Sequence, residues 1–357
     1  MKIRKRRIWG AVGFFLIFSV LFVMVSYLLR LADTSTKSRF AGFYAEEDNT
    51  LDTVFIGSSA AYIFVVSPKM WNDSGMTSYV LGAPALPFNT VPALIAESEK
   101  SQHPDLYVVE IRTLISNDLY IKNNTKVSDE FLRNLTDALP YSMNRIRLIN
   151  ETVTDQDKTD WFFDLFHNHS NWKNLNLDAF SLMFYHKKSD VKSAYTVAAW
   201  QKQTEFDPAP YTAKKTPLEE SSEQTLREVL SYCRQQNINV LFLSTPYVEN
   251  PVSIAEENYV ADVIESYGYP YLNCNYDYQE IGLDFSSDFY NNKHVNVFGS
   301  AKVTDYLLKY IMENYDMPAD HTEDTAAEWN AAYAAWSEQA QDQAETVKAA
   351  LAKENGS

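Results

Sequence analysis

The sequence contains few of the residues that bind metals and cofactors. It has two cysteines in 357 residues, Cys233 and Cys274, and therefore lacks the paired-cysteine pattern of a zinc site. It also lacks a glycine-rich loop that would cradle a phosphate group and the glycine fingerprint of a dinucleotide-binding fold. His167 and His169 could ligate a metal, but two histidines without a third ligand nearby seldom suffice. We therefore expect neither a cofactor nor a metal.

Positive charge is scarce beyond the N-terminus. The formal net charge is -16, and removing the first five basic residues leaves -21 for the rest of the chain. Those five are Lys2, Arg4, Lys5, Arg6 and Arg7. A domain of this charge repels phosphate polymers unless it carries a local basic patch, so we do not expect a nucleic acid as partner. The aromatic share of 14% and the apolar share of 46% favour a packed core over disorder.

Charge is absent from residues 8–29, which follow the basic N-terminus. As a helix, this run would rise roughly 33 Å, enough to cross a hydrocarbon core of about 30 Å. The basic flank predicts a cytoplasmic N-terminus and an extracellular main domain, so that residues 8–29 anchor the chain in a lipid bilayer. The alternative is a cleaved signal peptide, but its apolar core is normally about 7–15 residues long and ends at a small-x-small site, which is absent here.

The pattern of the remaining chain predicts an α/β fold. Five β-rich runs are bounded by turn residues, at 53–57, 78–82, 106–111, 239–243 and 269–273. Helical spacing is found between them, around residues 91–95, 222–235 and 254–267, and again at 301–312. Strands that alternate with helices predict a parallel sheet.

We accordingly expect a membrane anchor over residues 1–30, a polar linker over 31–50, the main domain over 51–316 and a helical tail over 317–357. A large, mainly helical insertion is expected at about 113–215. In the tail, the aromatic residues near Trp329 and Trp336 should pack on the domain, while the alanine-rich end should project or bind a partner. An extracellular location permits a disulfide between Cys233 and Cys274, although two buried thiols are an equal alternative.

Two segments carry side chains suited to catalysis. Ser58 and Ser59 follow Gly57 at the end of the first predicted strand, and His294 precedes the last predicted helix. The carboxyl ends of parallel strands share one edge of the sheet, where ligands bind, so the serine and the histidine should meet there. An imidazole that accepts the hydroxyl proton is what a serine nucleophile requires. By itself, Gly57-Ser58-Ser59 could equally be a turn or a helix cap.

These segments resemble the SGNH (GDSL-like) hydrolase superfamily, in which the nucleophile follows the first strand and an Asp-x-x-His motif precedes the last helix. The likeness covers roughly residues 50–315 and includes His-Ser-Asn-Trp at 169–172. It is greatest to the membrane-anchored branch that includes the helper protein for D-alanylation of lipoteichoic acid, whose members often accompany membrane-bound O-acyltransferases.

The resemblance implies a three-layer, flavodoxin-like parallel sheet and assigns roles to four residues. Ser59 takes the position of the nucleophile, and Ser58 that of the aspartate in Gly-Asp-Ser. His294 takes the position of the base. Gly82, after the second strand, would form the oxyanion hole together with the Ser59 amide.

The sequence departs from the family pattern at two places. Asn291 stands where the family has the aspartate of its Asp-x-x-His motif, so either Asp288 or Asp284 reaches the imidazole or the site is weakened. The block Gly-x-Asn-Asp after the third strand is replaced by Glu110-Ile111-Arg112. Arg112 is expected either to bind an anionic group or to form a buried salt bridge with Glu110 or another acid.

The resemblance implies a membrane-anchored serine esterase or O-acyltransferase that acts on a cell-envelope polymer, either a cell-wall polysaccharide or a teichoic acid. The alternative is a catalytically weakened helper that binds a membrane-bound O-acyltransferase or its polymer acceptor.

Overall fold

The computed structural model describes residues 2–30, 34–115, 126–153, 158–175, 177, 187–318 and 320–355. At its centre is a sheet of five parallel strands in the order β2-β1-β3-β4-β5. The strands are β1 (Thr53–Gly57), β2 (Ser78–Gly82), β3 (Leu106–Glu110), β4 (Val240–Ser244) and β5 (Tyr271–Asn273). The predicted α/β fold with a parallel sheet is confirmed, and each strand lies within two residues of its predicted bounds.

The strands are buried on both faces, as expected when helices cover both sides of a parallel sheet. Successive side chains alternate between two cores. Val54 and Ile56 of β1 belong to one core, while Phe55 between them belongs to the other. The sheet is therefore the middle layer of the domain.

The helices of the described residues occur in chain order between and around these strands. They are α1 (Lys2–Leu29), α2 (Thr34–Phe43), α3 (Ser59–Tyr62), α4 (Ser67–Ser74), α5 (Val91–Ser98), α6 (Arg112–Ile115), α7 (Lys126–Ala138), α8 (Met143–Thr152), α9 (Lys158–Phe162), α10 (Leu165–Asn168), α11 (Glu220–Gln235), α12 (Pro251–Ser266), α13 (Tyr278–Ile281), α14 (Val297–Asn314) and α15 (Glu323–Asn355). Helices α5 and α11 pack on the core that contains Val54, whereas α14 packs on the core that contains Phe55. A short antiparallel hairpin, β6 (Phe289–Asn291) and β7 (His294–Val295), precedes α14.

The N-terminal helix α1 is long and apolar enough to span a membrane. Its segment Arg7–Leu29 has a mean hydropathy of 2.6, and 11% of its most apolar part is buried by the rest of the chain. A helix of this length extends about 34 Å. Side chains such as Phe15 and Leu16 are more than 60% exposed, which no helix in a water-soluble core would tolerate.

The expected linker at 31–50 is wrong for half of its length, because residues 34–43 form α2. Phe40 and Phe43 are fully buried in the core, and Arg39 and Lys37 are buried beside them. Burial lowers the pKa of Lys37 to about 8, and its ammonium donates to the carbonyl of Arg30 over 2.8 Å. Because this segment is rich in polar residues, its sequence indicated a linker, although it forms a helix that packs on the core.

The insertion is helical over part of its described length. Helices α7 to α10 lie between residues 126 and 168, and residues 116–125 fall outside the description. Residues 187–208 instead run past the β6–β7 hairpin without forming a helix or strand. There, the amide of Gln201 donates to the carbonyl of Phe289 over 2.9 Å, and the amide of Val297 donates to the carbonyl of Val197 over 3.0 Å. Residues 187–208 of the insertion thus stabilise the hairpin through backbone hydrogen bonds.

The C-terminal helix α15 packs on the domain over more of its length than expected. Trp329 and Trp336 are buried, as predicted, but Val347 in the alanine-rich part is also fully buried. Lys192 from the insertion is fixed between Glu46 and Glu328, and this buried ion pair ties α15 to the chain beyond α2. Apart from Val347, the helix after Trp336 is exposed or partly exposed over its described residues.

The two cysteines are free thiols. Cys233 lies on α11 in one core and Cys274 follows β5 in the other, so the sheet stands between them. The structure thus contains the two buried thiols and not the disulfide.

Candidate functional site

Ser59 lies where the first strand turns into a helix. Strand β1 ends at Gly57, and the Ser58 hydroxyl caps α3 by accepting from the Ala60 amide over 3.2 Å. A Cβ at Gly57 would come within 2.7 Å of Cβ of Glu110 and within 2.9 Å of Cβ of Ala61, so only glycine fits there. This tight turn leaves Ser59 as the first, partly exposed residue of α3.

His294 is presented by the β6–β7 hairpin. Asn296 ends the hairpin and caps α14, because its side-chain oxygen accepts from the amides of Phe298 and Gly299. The ring of Tyr290 stacks on the His294 imidazole with 5.4 Å between centroids and 14° between planes. The cap and the stacked ring together fix where the imidazole lies.

The hydrogen bonds around His294 define which ring nitrogen carries the proton. The Lys293 amide can only donate, so the Asn291 atom that it reaches at 2.8 Å must be the oxygen. The same oxygen lies 3.1 Å from Nδ1 of His294, which must therefore donate. Nε2 keeps its lone pair and lies 2.8 Å from the Ser59 hydroxyl. The described residues thus form a Ser59–His294–Asn291 chain in which the imidazole can accept the serine proton.

The imidazole of His294 is held in its neutral form. Burial, together with the positive charges of Arg112 and Lys293, lowers the pKa of His294 to about 3. The Asn291 side-chain oxygen accepts a hydrogen bond from Nδ1 but supplies no negative charge to offset these effects. The imidazole is therefore free to act as a base near neutral pH, but it is a weak one.

Asp288 does not contact His294, contrary to one of the two expectations. Its buried carboxylate accepts from the Lys302 ammonium at 2.7 Å, from the Asp284 amide at 2.7 Å and from the Ser287 hydroxyl at 3.0 Å. Asp284 is exposed and accepts from the amide and hydroxyl of Ser286. These contacts satisfy the charge of Asp288, which thereby stabilises the turn before the hairpin. Asn291 occupies the position beside the imidazole.

Arg112 joins the histidine hairpin to the sheet and to the serine helix. Its guanidinium donates to the Lys293 carbonyl at 2.6 Å and to the carbonyl and hydroxyl of Thr245 at 3.0 and 2.8 Å. The Thr245 hydroxyl in turn donates to the Ala60 carbonyl of α3 at 3.0 Å. The side chain is buried, so the described contacts make Arg112 a positioning residue. The described ion pairs do not include one between Arg112 and Glu110, and the binding of an anion by Arg112 stays a prediction.

Glu110 lies directly beneath the serine turn. Its carboxylate accepts from the Arg112 amide at 2.8 Å and from the Ser58 hydroxyl at 3.3 Å. Complete burial raises the pKa of Glu110 to about 7. Ser58 is itself buried, so its hydroxyl serves as a cap bound to Glu110 and does not face a ligand.

Gly82 approaches the serine turn from the neighbouring strand. A Cβ there would lie 2.8 Å from the Gly57 carbonyl oxygen and 3.1 Å from the ring of Tyr62. Its carbonyl accepts from Arg39 at 2.7 Å. Because Ser59 is the first residue of α3, its amide N–H has no carbonyl acceptor within the helix. Both expected oxyanion residues thus lie at this edge of the sheet, and their role as donors remains a prediction.

The histidine-containing segment 167–172 lies away from this site, against α1. The side-chain amide of Asn171 donates to the Leu29 carbonyl at the end of α1 over 3.0 Å. Nδ1 of His169 donates to the Phe166 carbonyl at 2.7 Å. Among the described residues, no group of three or more histidine, cysteine or acidic side chains is placed to hold a metal.

Sequence reasoning missed three residues that shape the site: Arg39, Thr245 and Tyr290. Thr245 carried a signal, since it ends the fourth strand before a proline and so lies at the edge of the sheet where ligands bind. Arg39 carried none, because it lies in the segment interpreted as a linker. Its guanidinium stacks over the Tyr62 ring at 3.9 Å.

Comparison with known proteins gives no identification. No family model matches the chain. No curated protein matches it.

Proposed function

We propose that the protein is a membrane-anchored serine esterase or O-acyltransferase of the SGNH type that acts on a cell-envelope polymer. The observation that carries the proposal is the Ser59–His294–Asn291 hydrogen-bond chain, at 2.8 and 3.1 Å. Nucleophile, base and orienting group are the arrangement that acyl transfer through serine requires. The strand order 2-1-3-4-5 supports the flavodoxin-like form of the fold.

In the proposed reaction, Oγ of Ser59 attacks the carbonyl carbon of an ester or thioester while Nε2 of His294 takes the hydroxyl proton. The amides of Ser59 and Gly82 stabilise the oxyanion. The C–O or C–S bond to the leaving group then breaks, and Nε2 returns its proton to the departing alcohol or thiol. Water or a polymer hydroxyl attacks the acyl-enzyme in the same way, which releases Ser59.

The substrate class follows from where the site is held. With residues 8–29 in the bilayer and the five basic residues before them in the cytoplasm, the domain lies outside the cell next to the membrane, which favours envelope polymers and a membrane-bound O-acyltransferase as partner. A groove of about 250 Å³ beside Arg39 is lined in part by Lys187, Lys188 and Asp190. Lys188 is paired with Glu328, so the support of this groove for an anionic acceptor such as teichoic acid rests on Lys187.

The proposal is tested by labelling the full-length protein in detergent with a fluorophosphonate probe. We expect covalent labelling at Ser59 that is lost in Ser59→Ala and retained in Ser221→Ala, which removes the hydroxyl of a partly exposed serine on α11. Absence of labelling under conditions in which an active serine esterase reacts would contradict the proposal.

The low pKa of His294 supports a second candidate, the weakened helper. A serine deprotonated by so weak a base reacts slowly, and the neutral Asn291 does not stabilise the imidazolium. In this case the domain binds an acyltransferase or its polymer acceptor without transferring the acyl group itself. The two candidates differ in the activity that an aspartate at position 291 would produce.

A further inference from the structure

We propose that the insertion is itself a membrane-binding element, with Phe163, Phe166 and Trp172 in contact with the lipid of the outer leaflet. These three residues are called the lipid-facing patch below. The inference rests on the proposed anchoring of α1 and adds a second, separate contact between the domain and the bilayer.

The end of α1 is fixed to the insertion by buried polar contacts. Arg30 is fully buried, forms an ion pair with Asp164 and donates to the Leu139 carbonyl at 3.0 Å. Asp164 also pairs with Arg145 at 3.3 Å. The rings of Tyr27 and Tyr141 meet edge to face at 4.8 Å. Because these groups would be costly to separate, helices α8 to α10 keep one position relative to the anchor.

The depth of the patch follows from its contact with α1. Phe163 meets Phe22 edge to face with 6.4 Å between ring centroids, and Phe166 meets Phe163 at 6.3 Å. Phe22 precedes Leu29, the end of the apolar helix, by seven residues, which corresponds to about 10 Å along the helix axis. If α1 spans the bilayer, Phe163 therefore lies at the level of the acyl chains and not in water.

The exposure of these aromatics is concentrated in the insertion. Phe163, Phe166 and Trp172 are 49%, 62% and 63% exposed. Outside α1, six of the nine large exposed hydrophobic residues in the described part of the chain lie between residues 143 and 177. Single exposed apolar residues need no explanation, but a cluster continuous with a membrane helix indicates a contact surface.

Trp172 indicates that the occupant is lipid. The Lys173 ammonium lies 5.8 Å from the centre of the Trp172 ring. An amphipathic ring beside a basic side chain is typical of the headgroup level of a bilayer, where tryptophan and lysine are enriched. A patch in which Phe163 and Phe166 are deeper and Trp172 is shallower matches a short element that lies in the interface.

The test measures the depth of a nitroxide label in the full-length protein, reconstituted in nanodiscs of phosphatidylcholine and phosphatidylglycerol without other proteins. Phe166→Cys reports on the patch, Leu16→Cys on the anchor, and Met312→Cys on α14 at the opposite face of the sheet. Met312 is also an exposed apolar residue, at 41%. The native thiols are buried, so wild-type protein should take no label.

We expect the label at position 166 to collide several-fold more often with oxygen than with a water-soluble nickel chelate, as the label at position 16 does, and the label at position 312 to show the reverse. If position 16 is in lipid and position 166 is in water, the lipid-facing patch is refuted while the anchor stands. If position 166 excludes both reagents, it is covered by protein and the proposal is also overturned. If position 16 is in water, the anchor itself fails.

Discussion

At the scale of single residues, Asn291 determines how strong the catalytic base can be. Its oxygen sets the tautomer of His294, so the proton-accepting nitrogen already faces Ser59. It contributes no charge, and the pKa of His294 accordingly falls to about 3 under burial and the charge of Arg112. Asn291 therefore orients the imidazole without stabilising its charged form, and a single substitution at this position distinguishes the two effects.

Asn291→Asp should raise the pKa of His294 and accelerate the reaction of Ser59. An adjacent carboxylate stabilises the imidazolium, so the acid limb of the pH–rate profile should move from near pH 3 towards the ordinary range of histidine. We expect a gain on the order of 10² in esterase rate at pH 8. This is less than the ~10⁴ that the reverse change costs a serine triad, because the tautomer is already correct. The rate with a chromogenic acetate ester between pH 3 and 9 provides the measurement.

Activity that occurs only in Asn291→Asp would identify the native site as degenerate and favour the helper. An unchanged rate and an unchanged acid limb would show that His294 does not serve as the base. Asn292→Asp, which adds the same charge on the exposed tip of the hairpin, is the matched control.

Arg112 should act on catalysis through position and not through contact with substrate. In Arg112→Lys the charge remains, but one ammonium cannot replace the fork that holds both Thr245 and the Lys293 carbonyl. We expect the fluorophosphonate labelling rate at Ser59 to fall by about tenfold or more, as a displaced base would cause. Arg234→Lys, on the exposed surface of α11, should leave it unchanged. Unaltered labelling in Arg112→Lys would show that the hairpin keeps its position without the guanidinium hydrogen bonds of Arg112.

At the scale of elements, the strands and long helices follow from local pattern, whereas α2 does not. Each strand is an apolar run bounded by turn residues. This local pattern is enough to predict a strand that is buried on both faces of a sheet. Residues 34–43 contain six polar or charged side chains, so they indicate a linker until the burial of Phe40 and Phe43 is seen. A helix of this composition is stable only because the domain covers it.

Phe40→Ala should therefore destabilise the whole domain. Removing a fully buried phenylalanine leaves a cavity and costs about 3–5 kcal/mol of unfolding free energy. Phe166→Ala removes the same atoms from an exposed position and should change the free energy by less than about 0.5 kcal/mol in detergent. Urea unfolding, followed by tryptophan fluorescence, compares the two. Equal effects would mean that α2 is not part of the core.

At the scale of the whole molecule, the basic residues next to the apolar segment of α1 predict the orientation in the membrane. The basic residues at the start of α1 should remain in the cytoplasm, so that the domain lies on the other side of the membrane. Its formal charge is -21, as calculated from the total of -16 and the five N-terminal basic residues. The buried contacts of Arg30 then join the domain directly to the end of the anchor.

In intact cells that produce the protein, a membrane-impermeant maleimide should label Met312→Cys. It should label Lys5→Cys only after permeabilisation, because position 5 precedes the anchor. Wild-type protein is the control, since Cys233 and Cys274 are buried thiols. Labelling of Lys5→Cys in intact cells would reverse the proposed topology.

The sequence by itself determined the parallel sheet, the apolar helix α1 and the placement of Ser59 and His294 at the ends of their elements. These depend on periodicity and on turn residues, which act over a few positions of the chain. Only the tertiary structure decided that Asn291 and not Asp288 reaches the imidazole, and that Arg112 binds carbonyls. The first outcome depends on Lys302, which holds the Asp288 carboxylate, and the second on the contacts of Arg112 with Thr245 and Lys293. These partners belong to other elements of the fold, so a local sequence pattern does not reveal them. The same reason explains α2, whose place in the core is set by the domain that covers it.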